Sequence, residues 1–147
     1  MKFYITGSTR GLGKYLAEHF NCECLDRPID LNMDINSVAD SIEEGSTVIL
    51  NAHASQLEYV HKLKDKCKLV ICGSVAAVNT DPTMTEYSEQ KYNLEKTVTK
   101  LALESKYPIL YLRLTSSSYR NEHLIAKSIQ FWIDTPDVTF IGYNINE

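Results

Sequence analysis

Tyr87 and Lys91 stand four residues apart in the run Tyr87-Ser88-Glu89-Gln90-Lys91. On a helix that spacing puts both side chains on one face. A free phenol has a pKa near ~10, too high for a good proton donor or acceptor at neutral pH. A neighbouring ammonium favours the phenolate and lowers that value. Lowering it by about 3 units takes roughly 4 kcal/mol of differential stabilisation, which one lysine and a second nearby cation can supply together. The pair therefore suits proton transfer at a substrate oxygen. Ser74, after the apolar run Leu69-Val70-Ile71-Cys72 and Gly73, suits holding that oxygen by a hydrogen bond. Read alone, the same spacing also describes a solvated pair on a helix surface, which is the commoner case.

The stretch Thr6-Gly7-Ser8-Thr9-Arg10-Gly11-Leu12-Gly13 follows the apolar run Phe3-Tyr4-Ile5, which suits a buried strand. It leads into Leu12, Leu16 and Phe20, whose spacing of four suits one face of a helix. Three glycines thus fall where a strand turns into a helix. Glycine lets the chain turn tightly and lets a pyrophosphate approach the backbone. The N–H groups at a helix start then attract the phosphates. The pattern Thr-Gly-x-x-x-Gly-x-Gly is a spacing variant of the dinucleotide-binding loop, and a plain turn is its other reading. Asp26 lies nineteen residues after Gly7, where a carboxylate can accept from adenosine ribose hydroxyls. It can equally be a turn aspartate ahead of Pro28. An oxidised nicotinamide ring, itself cationic, would be the second cation beside Tyr87.

Length and composition set limits. The 147 residues suit a single domain, 1–147, with a real core. A formal net charge of −4 argues against nucleic acid or an anionic membrane as partner. No apolar run approaches a membrane span, and the chain enters a strand at once without a signal peptide, so the expected compartment is the cytoplasm. Cys22, Cys24, Cys67 and Cys72 read as reduced thiols in or near the core. Their spacing makes no paired Cys-x-x-Cys zinc site, and no metal is expected. His19, His61 and His123 read as surface helix positions, and His53 as either a packing residue or part of the site.

These residues need elements to carry them. Strands are predicted at Phe3–Ile5, Cys22–Asp26, Leu31–Ile35, Thr47–Leu50, Leu69–Cys72, Ile109–Leu114 and Val138–Tyr143. Helices are predicted after the glycine loop, over Ser37–Glu44 with Gly45 as terminator, and over Gln56–Lys66 with Leu57, Val60 and Leu63 on one face. Two more run from about Thr85 to Ser105, ahead of Pro108, and from Glu122 to Ile133. Strands alternating with helices through short loops imply an α/β fold: a Rossmann-type doubly wound parallel sheet with helices on both faces. Gly7, Asp26, Asn51, Ser74 and Thr115 then lie at or just after strand C-termini, the edge where such sheets bind ligands. That convergence weighs more than any single motif.

Together these stretches resemble the short-chain dehydrogenase/reductase family over nearly the whole chain. The glycine pattern from Thr6 to Gly13 matches the family's cofactor loop, and Tyr87-x-x-x-Lys91 matches its signature. Gly73-Ser74-Val75 resembles the segment with the catalytic serine, thirteen residues ahead of Tyr87. Asn51-Ala52-His53-Ala54 resembles the family's Asn-Asn-Ala-Gly segment, and Asp34 before Ile35 resembles the aspartate at the adenine ring.

The resemblance implies an NAD(P)-dependent oxidoreductase that passes hydride between nicotinamide and a carbonyl or alcohol substrate. Tyr87 would handle the proton, Ser74 would orient the substrate oxygen, and Lys91 would lower the tyrosine pKa and hold the nicotinamide ribose. The implied cofactor site takes in Gly7, Ser8, Thr9, Arg10, Gly11, Leu12 and Gly13, then Asp26 and Arg27, and Asp34 with Ile35. It continues through Asn51, Ala52 and His53, Tyr87 and Lys91, and Leu114 with Thr115. Asp26 favours NAD over NADP, because its charge repels a 2′-phosphate, while Arg10 and Arg27 pull the other way. Small members of the family associate through the helix bearing the tyrosine and lysine. Here that helix carries Tyr92, Leu94 and Leu103, which cannot all face one sheet, so a homo-oligomer (dimer or tetramer) is expected.

The chain also departs from the family pattern. It is short, and the span between Asn51 and Leu69 holds no asparagine for the family's fourth catalytic residue, which supports a water relay to the lysine. Thr115-Ser116 replaces the proline-glycine after the sixth strand, and little chain remains for a substrate lid, so an open site is expected. These departures favour the alternative of a non-catalytic dinucleotide-binding redox sensor or regulatory module.

Overall fold

The computed structural model describes residues 2–25, 34–74, 85–115, 121–135 and 138–145. Among them six strands form one parallel sheet: β1 (Phe3–Thr6), β2 (Glu23–Cys24), β3 (Thr47–Leu50), β4 (Lys68–Ser74), β5 (Ile109–Leu114) and β6 (Phe140–Asn144). Their spatial order is β2-β1-β3-β4-β5-β6. The helices are α1 (Gly11–His19), α2 (Ile35–Ser41), α3 (Gln56–Leu63), α4 (Glu86–Ala102) and α5 (Glu122–Ile133). This is the Rossmann-like α/β architecture that the alternation of elements predicts.

Both faces of the sheet are buried, because successive strand residues point to opposite sides. Ile5, Ile49, Val70 and Leu112 pack with Leu12 and Leu16 of α1 and Ile125 and Ile129 of α5. Val48, Leu50, Ile71 and Tyr111 pack on the other face with Val38 of α2, Val60 and Leu63 of α3, and Leu94 and Val98 of α4. The continuous apolar runs of β3, β4 and β5 follow from burial on two sides.

The register sets the shape of the upper edge. Thr6 lies opposite Leu50, Leu50 opposite Ile71, and Ser74 opposite Leu114. β4 and β5 therefore run on past the ends of β1 and β3. β2 lies on one side of β1 and β3 on the other, so sheet growth reverses between β1 and β3. A crevice for ligands opens at such a reversal.

Several predicted elements differ. The described end of the Leu31–Ile35 segment is not strand: Asp34 is the N-cap of α2, its carboxylate accepting from Ser37 N at 2.8 Å, and Ile35 is already helical. A capping aspartate outweighed a short apolar pattern; residues 31–33 lie outside the described residues. α2 ends at Ser41 rather than Glu44, because Ile42 turns extended into the core. Gly45 does not cap it and instead takes φ +84 in the turn beyond. β2 holds two residues, which leaves Cys24 exposed at the sheet edge rather than near the core. α3 and α4 stop at Leu63 and Ala102, short of Lys66 and Ser105. The last strand opens at Phe140, the Val138 carbonyl being taken by Trp132 Nε1 at 2.6 Å.

Candidate active site

The glycine loop is built as a cradle of backbone. Gly7 leaves β1 with φ +73 and Gly11 opens α1 with φ +58, both in the left-handed region that strains a side chain. Gly13 is required for room, since a Cβ there would overlap the Gly7 carbonyl. A Cβ on Gly11, by contrast, meets nothing within 4 Å, so the outer rim of the loop is open. Arg10, the N-cap of α1, makes no side-chain hydrogen bond to the helix start, and the first turn carries no acidic residue. The leading N–H groups of a helix need partners. A helix start whose N-cap residue makes no capping bond and whose first turn carries no carboxylate, above a tight glycine turn, fits a phosphate group. Leu12 is buried and anchors α1 in the core, so only its backbone can serve such a ligand.

Two carboxamides tie the strand ends together. Asn51 Nδ2 donates to the Gly7 carbonyl at 2.9 Å, and Ala52 N donates to Thr6 Oγ1 at 3.2 Å. The end of β3 thereby holds the glycine loop. Gln56 reaches back from the first residue of α3, with Nε2 donating to the Leu50 carbonyl at 2.8 Å and the Cys72 carbonyl at 2.9 Å. Its Oε1 accepts from Lys91 Nζ at 2.6 Å. Ser55, just before it, is left-handed with φ +65, and this turn aims Gln56 at the sheet.

Tyr87 and Lys91 share a face of α4 unequally. Tyr87 is 44% exposed and Lys91 only 3%. That burial rules out the solvated pair. The ammonium lies 5.7 Å from the centre of the tyrosine ring. Burial pulls the Lys91 pKa down to about 8, opposed by the Cys72 thiol group nearby. The exposed His53 ring lies 5.2 Å from the Tyr87 ring, and its Nε2 is 2.8 Å from Gln90 Oε1. His53 thus belongs to the rim of the site. A cleft of about 540 Å³ between α3 and α4 is lined by Gln56, Lys91, His53 and His61 among others.

α4 is fixed at its start and again at mid-length. Thr85 caps it, Oγ1 accepting from Ser88 N at 3.1 Å. Arg113 Nε of β5 donates to Glu95 Oε1 at 2.6 Å. Next to Ser74, a Cβ on Gly73 would overlap the Tyr111 ring, so the glycine there is a packing requirement. The Tyr111 hydroxyl is buried without a hydrogen-bond partner among the described residues, and burial raises its pKa.

The structure thus brings the glycine loop, Asn51, Ala52, His53, Ser74, Tyr87, Lys91, Leu114 and Thr115 to the C-terminal edge of the sheet. Asp26 and Arg27 lie outside the described residues. Asp34 is exposed, and its bonds to Ser37 hold its carboxyl below the usual range, while Ile35 packs against the core. Leu114 is buried and faces the site only through its backbone. Gln56 was not anticipated from sequence. Its signal is there: Gln56, Val60 and Leu63 fall in helical phase, so a glutamine occupies an apolar stripe. Among the described residues no cluster of three His, Cys, Asp or Glu is placed to hold a metal, and no helix is long and apolar enough to cross a membrane.

No family model matches the chain, and no curated protein sequence matches it. Solved structures do. A short-chain dehydrogenase/reductase from Vibrio parahaemolyticus matches with TM-score 0.70 at 16% identity, over 98% of this chain and 98% of that one. A short chain dehydrogenase family protein from Francisella tularensis subsp. tularensis SCHU S4 matches with TM-score 0.61 at 16% identity, over 91% and 76%. A ribose-5-phosphate isomerase from Brucella melitensis 16M matches with TM-score 0.67 at 11% identity, over 98% and 90%. The likeness is one of fold, and it extends to proteins named for different reactions.

Proposed function

We propose that the chain is an NAD(P)-dependent oxidoreductase of the short-chain dehydrogenase type, acting on a small carbonyl or alcohol. One observation carries the reading: a buried Lys91 behind a half-exposed Tyr87, on the sheet edge that holds the glycine loop. Fold neighbours named as dehydrogenases support it. The loop from Gly7 to Gly13 would hold the pyrophosphate of a nicotinamide dinucleotide, which would supply the hydride to a carbonyl or accept it from an alcohol. The chain's own residues do the rest. Tyr87 gives a proton to the carbonyl oxygen, or takes one from the alcohol. Ser74 donates a hydrogen bond to that oxygen. The Lys91 ammonium stabilises charge on the tyrosine oxygen and offers its other N–H donors to the ribose. The charge of Asp26 supports NAD over NADP, and NADP binding ten times tighter than NAD in one buffer overturns that preference. The outer face of α4 supports self-association.

The test is Tyr87→Phe, assayed after a screen of aldehydes, ketones and sugar-linked ketones with both cofactors. The change removes one oxygen from the protein. Turnover should fall roughly 10²–10⁴-fold, the usual worth of a positioned acid or base, with cofactor affinity little changed. Lys91→Met should impair both. Tight cofactor binding with no compound turned over replaces this reading with a dinucleotide-binding redox sensor.

A further inference from the structure

Gln56 is 3% exposed, yet it is polar and sits in the apolar stripe of α3. Its amide nitrogen donates to two main-chain carbonyls, of Leu50 on β3 and Cys72 on β4. Carbonyls only accept, so the amide has one orientation, with nitrogen to the strands and oxygen away from them. That oxygen meets Lys91 Nζ at 2.6 Å. One side chain therefore joins the ends of two strands to both helices of the cleft.

We infer that Gln56 is a positioning residue for Lys91, its amide oxygen locked by the two strand carbonyls so that it fixes the ammonium behind Tyr87. The purpose assigned to it rests on the oxidoreductase reading above. A lysine has four rotatable bonds, and without a fixed acceptor its charge can occupy many places. The other groups near the ammonium are the Tyr87 ring from α4 at 5.7 Å, the Cys72 thiol from β4, and His53, Glu58 and His61 on the cleft walls. Among the described residues none of them hydrogen-bonds Nζ. A neutral amide also holds the ammonium without cancelling its charge, so the field at Tyr87 is kept. A carboxylate at the same place would bind the ammonium and spend that field on itself.

The inference is tested by NMR on the cofactor-free protein with labelled lysine and glutamine side chains, the Lys91 signal being the one lost in Lys91→Met. In the parent, the Gln56 side-chain amide signal should move with pH at the midpoint of Lys91. Gln56→Glu keeps the shape and adds charge, and should raise the Lys91 midpoint by about one unit or more. Gln56→Met removes the acceptor and should lower it. A glutamine that only bridges strands predicts a flat Gln56 signal in the parent and an unmoved Lys91 midpoint in every variant that folds, and that result overturns the inference. The parent titration decides the matter if neither variant folds. No substrate is needed, so the two readings fail separately: coupled titration without turnover removes only the oxidoreductase, and turnover with uncoupled titration removes only the role of Gln56.

Discussion

Asn51 Nδ2 donates to the Gly7 carbonyl at 2.9 Å, joining residues 44 apart in sequence across the junction of β1 and β3. The bond fixes the glycine turn where the order of the sheet reverses. Asn51→Ala removes that donor from a partly buried carbonyl, a loss of about 1–3 kcal/mol in urea unfolding. It should also weaken NADH binding by about tenfold, equivalent to about 1.4 kcal/mol, because the loop is no longer held in shape. An unchanged affinity would mean that this bond does not set the binding shape of the loop.

Gly13 and Gly11 separate two reasons for glycine. Gly13→Ala drives a Cβ into the Gly7 carbonyl, so α1 must move off the loop, at about 1–3 kcal/mol. Gly11→Ala meets open space and suffers only its left-handed φ, about 1–2 kcal/mol. Gly13→Ala should abolish calorimetric binding of NADH, while Gly11→Ala keeps a weakened form of it. The reverse order contradicts the packing assigned to Gly13.

Lys91 makes stability depend on pH in a known direction. Its pKa is about 8 in the folded chain against a usual 10.5. Below about pH 8 both states carry the proton, and the cost of burying the charge is fully present. Between pH 8 and 10.5 the unfolded chain keeps that proton and the folded chain releases it, so stability rises with pH. Cys22, Cys67 and Cys72 act oppositely above pH 9, since burial raises them to about 12, 11 and 12 and the unfolded chain loses those protons first. The lysine contribution is therefore read as a difference. Relative to Lys91→Met, the parent should gain about 1 kcal/mol from pH 8 to 9 in denaturant melts. A difference that stays flat across that interval contradicts a depressed lysine.

The outer side of α4 carries Tyr92 at 46% exposure, and its C-cap Leu103 is 91% exposed, while Leu94 faces the core. Self-association through this side predicts a dimer or tetramer by light scattering at tens of micromolar. Leu103→Glu combined with Tyr92→Glu should yield a folded monomer whose unfolding midpoint no longer depends on protein concentration. A parent that is already monomeric at that concentration removes the prediction.

Local structure was legible in the sequence wherever a short window contains its own cause. Thr47–Leu50, Ile109–Leu114 and Glu122–Ile133 have the predicted bounds, because β-branched runs and helical periods act over a few residues. The glycine loop was legible for the same reason, each glycine answering to a turn or a neighbour within the loop. What tertiary structure alone decided is which of two side chains on one helical face is buried. The four-residue spacing of Tyr87 and Lys91 is the same in a solvated pair and in this one. The buried member is hydrogen-bonded by Gln56, 35 residues from Lys91, whose amide also bridges β3 and β4. Contacts at that separation leave no period in the chain, only an isolated polar residue in an apolar stripe, and folding of the sheet supplies the partner.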